Sequence, residues 1–249
     1  MALAINCDMG EGFGLYRCGD DDAIMPYITV ANVACGFHAS DPMVMKRTVV
    51  SAKRHGVKVG AHPSYPDLQG FGRREMKMDP EELTACIIYQ VGALKGFLEA
   101  NDMELNHIKP HGALYGVAAR DENVANAVAD AAEAFGGVPL MGMANTVHEQ
   151  VYTKRGLPFL AEYYTDLDYT DEGGLIITRE HVAYDPQKAA ESAVRVVTEG
   201  KAKSINGKDI PMRADCVCVH SDTPGAVELA QAVREALKPW VDGDAAAAG

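Results

Sequence analysis

The strongest constraint on the fold is an alternation. Short apolar runs recur along the chain, separated by longer segments with helical spacing. The runs occupy residues 3–7, 29–34, 57–61, 106–109, 138–143, 159–163 and 216–219. Each is short and almost continuously apolar, the pattern of a strand buried on both faces. Residues 175–177 form a further apolar run suited to local pairing. Between the runs, helices declare themselves. From Pro80, the residues Leu83, Ile87, Val91, Leu94 and Leu98 make one apolar stripe. Asp41-Pro42, Asp79-Pro80, Asp185-Pro186 and Thr223-Pro224 each predict a helix start, a capping side chain before a Pro whose missing N–H costs nothing there. Further helices are expected from about Glu122, Thr146 and Ala226. Strands alternating with helices predict parallel pairing with right-handed crossovers. An open doubly wound sheet and a closed barrel both satisfy that rule.

The polar residues choose between them. Asn6, Asp8 and Glu11 follow the first run, His38 the second, and His62 the third, with Arg73 in its loop. Lys109 and His111 close the fourth, Glu162 and Asp166 mark the sixth, and His220 ends the last. In a parallel barrel all strand ends share one face; in an open sheet only those near the switch point converge. The chain therefore reads as α/β, a single-domain seven-stranded β/α barrel over residues 1–240. Residues 241–249 lack a large apolar side chain after Val241 and are expected to be a disordered tail. A single His at a strand end is more often a packing residue, the reading given to His55, His107, His148 and His181. His38, His62, His111 and His220 stand out jointly, because they occupy equivalent positions. A buried Lys109 needs a partner, and Glu162 is the candidate. Gly10, Gly12 and Gly14 would let backbone approach a ligand closely.

Composition excludes more than it assigns. With 23 Lys+Arg against 35 Asp+Glu, the net charge of −12 gives no basic footprint for nucleic acid. No apolar stretch approaches a membrane span, and no basic region opens a signal peptide, so a soluble cytoplasmic protein is expected. The 6 cysteines follow no zinc spacing. Leu15 interrupts the dinucleotide fingerprint, and no P-loop, Gly-x-Ser-x-Gly or His-Glu-x-x-His occurs. Carboxylates, imidazoles and one lysine remain, an inventory for proton transfer, oxyanion stabilisation or hydrolytic metal binding.

Seven segments in order carry a resemblance. They are Asn6-Cys-Asp8-Met-Gly-Glu-Gly, Ala31-Asn-Val-Ala-Cys-Gly-Phe-His38-Ala-Ser-Asp41-Pro, Val59-Gly-Ala-His62-Pro-Ser-Tyr-Pro-Asp, Gly70-Phe-Gly-Arg73, Tyr89-Gln-Val-Gly-Ala-Leu, His107-Ile-Lys109-Pro-His111-Gly-Ala-Leu-Tyr115 and Cys218-Val-His220-Ser-Asp222. Together they resemble the LamB/YcsF family, the family of the 5-oxoprolinase A subunits. The resemblance implies a seven-stranded β/α barrel similar to the sugar deacetylases. It implies ATP-dependent opening of 5-oxo-L-proline to L-glutamate, two other 5-oxoprolinase subunits as partners, and ATP with Mg shared with them.

Under that chemistry ATP phosphorylates the lactam oxygen, Asp8 or Glu162 is the base on water or the ring nitrogen, and Lys109 and His111 stabilise charge on the phosphorylated oxygen. Asn6, Glu11, His38, His62, Asp166 and His220 line the substrate, with Arg73 on its carboxylate. Two alternatives belong beside it. One is a stand-alone metal-dependent deacetylase or amidohydrolase, with Asp8, His38 and His62 as the ligands. The other is a non-catalytic subunit that hands substrate to a partner. The chain departs from the family pattern at Leu167 and Thr178, where the family carries cations, so the resemblance leaves the particular lactam open.

Overall fold

All seven expected strands form, with ends within two residues of their expected limits. A computed structural model describes residues 2–176 and 182–242. The barrel strands are β1 (Ala4–Met9), β2 (Val30–Ala34), β3 (Lys58–His62), β4 (Leu105–Ile108), β5 (Leu140–Gly142), β6 (Phe159–Tyr164) and β9 (Cys216–His220), the last reached after a hairpin of β7 (Lys201–Lys203) and β8 (Asp209–Pro211). The helices are α1 (Asp21–Ile24), α2 (Pro42–His55), α3 (Pro80–Glu99), α4 (Gly112–Ala118), α5 (Glu122–Ala134), α6 (Val147–Lys154), α7 (Pro186–Glu199) and α8 (Ala226–Val241). Each of β1 to β6 pairs in parallel with the next, and β9 closes the barrel by pairing with both β6 and β1.

The two faces of each strand explain the architecture. Ile5, Cys7 and Met9 of β1 point outward into one buried apolar cluster with the α3 stripe and with Leu229, Val233 and Leu237 of α8. The alternate residues Asn6 and Asp8 point inward. Asp8 lies in register with Asn32 on one side and His220 on the other. Asp41, Asp79 and Asp185 cap α2, α3 and α7 as expected, each accepting backbone N–H bonds.

The structure differs from expectation at three places, while the run at 175–177 pairs locally as expected as far as it is described. Thr223 does not cap a helix: α8 starts at Ala226 after Gly225 at φ 80°, and the Thr223 hydroxyl instead bonds Asp166 Oδ2 at 3.2 Å. The β7–β8 hairpin was not expected, because each three-residue strand buries only its central residue, Ala202 or Ile210. Leu175 makes a bridge with Tyr169, while the rest of that run, with Thr178 and His181, lies outside the described residues. Helix α8 takes in Val241, the first residue of the expected tail; residues 243–249 are outside the described set. Among the described residues no helix is long and apolar enough to cross a membrane.

Candidate active site

Inward-facing polar residues meet inside the barrel near the C-terminal strand ends. Lys109, just past β4, lies 2.9 Å from Asp8 Oδ1 and 2.8 Å from Glu162 Oε1. Asn32 Nδ2 donates to Asn6 Oδ1 and Asp8 Oδ1, each at 2.7 Å. Burial by itself would raise the Asp8 carboxyl, but His62 and Lys109 outweigh it and hold the group well below the usual carboxylate range. Burial likewise disfavours the Lys109 ammonium, and Asp8 and Glu162 keep it charged, well above the ordinary lysine value. Glu162 Oε2 has no hydrogen-bond partner among the described residues. The expected Lys109–Glu162 pair therefore exists, with Lys109 in the wall of the pocket and Glu162 behind it.

A second group stands beside it. His62 Nε2 is 3.2 Å from Asp8 Oδ2, and its Nδ1 donates to the Lys109 carbonyl at 2.8 Å. His111 Nδ1 approaches His62 Nε2 at 3.0 Å and Glu11 Oε1 at 3.3 Å, and His38 Nε2 is 3.0 Å from the same Glu11 oxygen. The His38 and His111 rings stack 3.7 Å apart. Gly72, at φ 64°, packs its backbone against both rings; a Cβ there would lie 2.7 Å from His111 Cδ2 and 2.8 Å from His38 Cβ. Burial pushes Glu11 up, reinforced by Asp8, and pushes His38 and His111 down, reinforced by His62.

The third group is His220. Its Nδ1 is 2.9 Å from Asp166 Oδ1, and its Nε2 is 3.9 Å from Asp8 Oδ2. Burial disfavours its imidazolium, but Asp166 outweighs this and raises the His220 pKa. A pocket opens over these groups, lined by Asp8, His62, Arg73, Lys109, His111 and His220, with Tyr164, Leu167 and Leu175 as its less polar wall. Arg73 pairs with Asp222 at 2.8 Å and lies over the Phe71 ring.

Every singled-out residue thus lies in or beside one site, all of them buried except the partly exposed Arg73, and in layers. Asn6, Glu11, His38, Glu162 and Asp166 support the residues that line the pocket. The donors expected for a metal divide: His38 and His62 group with Glu11 and His111, whereas Asp8 groups with Cys218 and His220. Sequence reasoning passed over His107, whose Nε2 bonds Asn32 Oδ1 at 2.7 Å and whose pKa burial lowers to about 3. Its two-residue spacing from Lys109 was the signal, since both face the interior. Asn32 and Tyr164 were also missed. Gly10, Gly12 and Gly14 serve the chain itself: Gly10 and Gly14 take positive φ, and Gly12 leaves room for the Tyr16 carbonyl.

Fold and site define a class, a parallel seven-stranded β/α barrel with a buried carboxylate–lysine–imidazole centre at its C-terminal strand ends. The model of the LamB/YcsF family matches residues 3–241, and the chain belongs to that family. It is 48% identical over 241 residues to the 5-oxoprolinase A subunit of Syntrophobacter fumaroxidans, covering 96% of this chain and 95% of that one. It is 44% identical to the lactam utilization protein lamB of Emericella nidulans, covering 94% and 93%. The crystal structure of the lactam utilization protein from Thermus thermophilus superposes with a TM-score of 0.87 at 44% identity, covering 96% of both chains.

Proposed function

We propose that this chain is one component of a lactam-opening hydrolase, the counterpart of the 5-oxoprolinase A subunits, acting on 5-oxo-L-proline or a closely related lactam to give L-glutamate or its analogue. The names of its relatives support the substrate class. The observation that carries the chemistry is the placing of Asp8 against His220 across one pocket, with opposite proton affinities. Asp8, held ionised by Lys109, takes a proton from water as the water oxygen bonds the lactam carbonyl carbon. As the C–N bond breaks, His220, held protonated by Asp166, gives a proton to the ring nitrogen. The products are a carboxyl group and a free amine; Asp8 returns its proton to solvent and His220 takes one back. Arg73 is the cation for a substrate carboxylate.

A lactam carbonyl is a weak electrophile and the five-membered ring recloses readily, so this reading includes transfer of the ATP γ-phosphoryl group to the lactam oxygen, giving ADP, before water attacks; ring opening then leaves an acyl phosphate, which a second water hydrolyses to the carboxyl group and phosphate. The described residues do not themselves fit a triphosphate. Among the described residues the pocket holds two cations, Lys109 and Arg73, each next to a protein carboxylate, which suits one substrate carboxylate at Arg73 but not the charge of a triphosphate, and no glycine-rich phosphate loop opens a helix. Nucleotide handling is accordingly assigned to the two partner subunits.

The test is turnover of a small panel of lactams by the chain alone, then with the partner subunits and ATP. ATP-dependent ring opening that requires all chains supports the reading. Turnover by the partners without this chain overturns it, and full turnover by the chain alone removes the partners from it.

A further inference from the structure

The mouth of the pocket is flanked by an apolar surface that the proton transfers above leave unused. Among the described residues ten large apolar side chains are exposed, and eight of them fall between Phe13 and Tyr89. Six of those form one arc beside the loops that follow β1, β2 and β3: Phe13, Leu15, Tyr16, Met43, Leu68 and Tyr89. Leu15 is 99% exposed and Tyr16 81%, on a tight hairpin in which Phe13 and Tyr16 exchange backbone hydrogen bonds at 2.9 Å. The hairpin is tied down. Gly14 N–H donates to Asp41 Oδ2 at 2.8 Å, and Ser40 N–H donates to the Gly12 carbonyl at 2.8 Å. Those bonds set it beside the start of α2, where Met43 stands. In the next loop the Phe37 ring lies 5.7 Å from that of Tyr89, and the loop of Leu68 returns to the same place through Phe71, whose ring is 5.5 Å from His38.

The size of the arc points to a protein. At about 200 Å² per large apolar residue, the six expose roughly 800 Å², what one partner contributes to a standard interface. Lone monomers rarely expose a contiguous apolar surface of that extent. A rigid tip bearing an aliphatic and an aromatic side chain is anchor chemistry, with little freedom to lose on docking. The arc also runs into the pocket wall: the Phe71 ring is 5.4 Å from His111, and the Arg73 guanidinium lies over it at 5.0 Å. The proposed function needs a phosphoryl group carried into this pocket, whose own cations do not suit a triphosphate. Whatever carries it must cover the mouth. We propose that this arc docks the partner subunit that holds the nucleotide, through a complementary apolar face that turns the triphosphate towards Arg73 and Lys109. The identity of the occupant, though not the surface, rests on the lactam reading.

The full-length chain and the two other 5-oxoprolinase subunits are purified separately, and their binding is measured by biolayer interferometry alongside ATP-dependent lactam turnover. The double variant Leu15→Glu/Tyr16→Glu changes two exposed side chains and should bind the partners roughly 30-fold or more weakly, the loss of one hot-spot anchor. Met43→Glu, an acid suited to the first turn of α2, should act in the same direction. Ile205→Glu, exposed but on the β7–β8 hairpin, should bind as wild type does. Turnover by the double variant should recover as partner concentration rises, because the pocket is untouched. The proposal is overturned if the wild-type chain binds neither subunit, if the double variant binds as tightly as wild type, or if Ile205→Glu loses as much. It is also overturned if the chain alone is a dimer that the double variant dissociates with partner affinity intact, which makes the arc a contact between two copies. A complex that forms through the arc but opens no lactam keeps the surface and removes the lactam reading.

Discussion

Asp8 Oδ1 and Lys109 Nζ, 101 residues apart in the chain, meet at 2.9 Å inside the barrel. Neither charge would be stable there alone, and Glu162 completes the set. Removing the two partners has different consequences. Asp8→Asn keeps an oxygen for Lys109 and leaves the Lys109–Glu162 pair, so thermal melts and circular dichroism should show an intact fold. Lactam turnover in the reconstituted system should fall about 10²–10⁴-fold, the usual worth of a general base. Lys109→Met leaves Glu162 buried without its cation and Asp8 with His62 and the more distant His220, and should cost about 3–5 kcal/mol. Retained turnover in Asp8→Asn would remove Asp8 from the mechanism.

The His220–Asp166 pair sets a pH limb. Because Asp166 raises the His220 pKa, the protonated donor persists to higher pH than an isolated buried imidazole would allow. Activity that needs this proton is full below the folded pKa and is lost as pH rises through it. Asp166→Asn should shift that basic limb of kcat/KM to lower pH, read from a pH–rate profile. An unmoved limb assigns the proton to another group.

Gly72→Ala tests how closely the loop must sit on the stacked rings. The new Cβ would meet His111 and His38 in a backbone conformation that L side chains rarely adopt. Destabilisation of about 1–3 kcal/mol is expected from the combined overpacking and strain. Spectral titration of the displaced imidazoles should change with it, and an unperturbed melt would show that the loop can move away freely.

Stability at neutral pH should improve on neutralising Asp21. Burial raises its carboxyl from the ordinary 3.8 to about 6, although Gly10 N–H donates to its Oδ2 at 2.7 Å. Between those two values the folded state holds more protons than the unfolded one, so stability falls as pH rises through the window and is level above it. The full difference is about 3 kcal/mol, and the solvent that still reaches Asp21 reduces it to about 1–2 kcal/mol. Asp21→Asn keeps an acceptor for Gly10 and should melt higher at pH 7.5, with the advantage vanishing towards pH 4. A constant difference across that range would show that charge is not the cause.

Leu167 lines the pocket with an uncharged side chain. Leu167→Arg should raise the preference for a carboxylate-bearing lactam over an uncharged one by about tenfold or more. The comparison is kcat/KM for 5-oxoproline against 2-pyrrolidone, and an unchanged ratio would free this position from any part in specificity.

The barrel was legible because its signal is physical and local: seven buried strands, and Asp residues that cap three Pro-led helices. The site was legible as a set, because strand ends in a parallel barrel share a face. Its layering was not. Nothing in the spacing says that Asp8 lines the pocket while Glu162 lies beneath Lys109, since both are inward positions on their strands. The division of the imidazoles was equally hidden. His38 and His111 stack directly on each other beside a loop glycine, and His220 is turned to Asp166, contacts that depend on how distant loops settle. The β7–β8 hairpin escaped because its short strands bury too little to leave a period.

The closure of the barrel has a consequence for how the protein is made. Strand β9 is the stave between β6 and β1, and it arrives 207 residues after β1 ends at Met9. Until then β1 has one unpaired edge, and Asp8 lacks its neighbour His220. During synthesis the nascent chain must therefore carry an open sheet edge and a half-built ionic centre together. The final stave completes both at once, so the site is assembled only after β9 has been made.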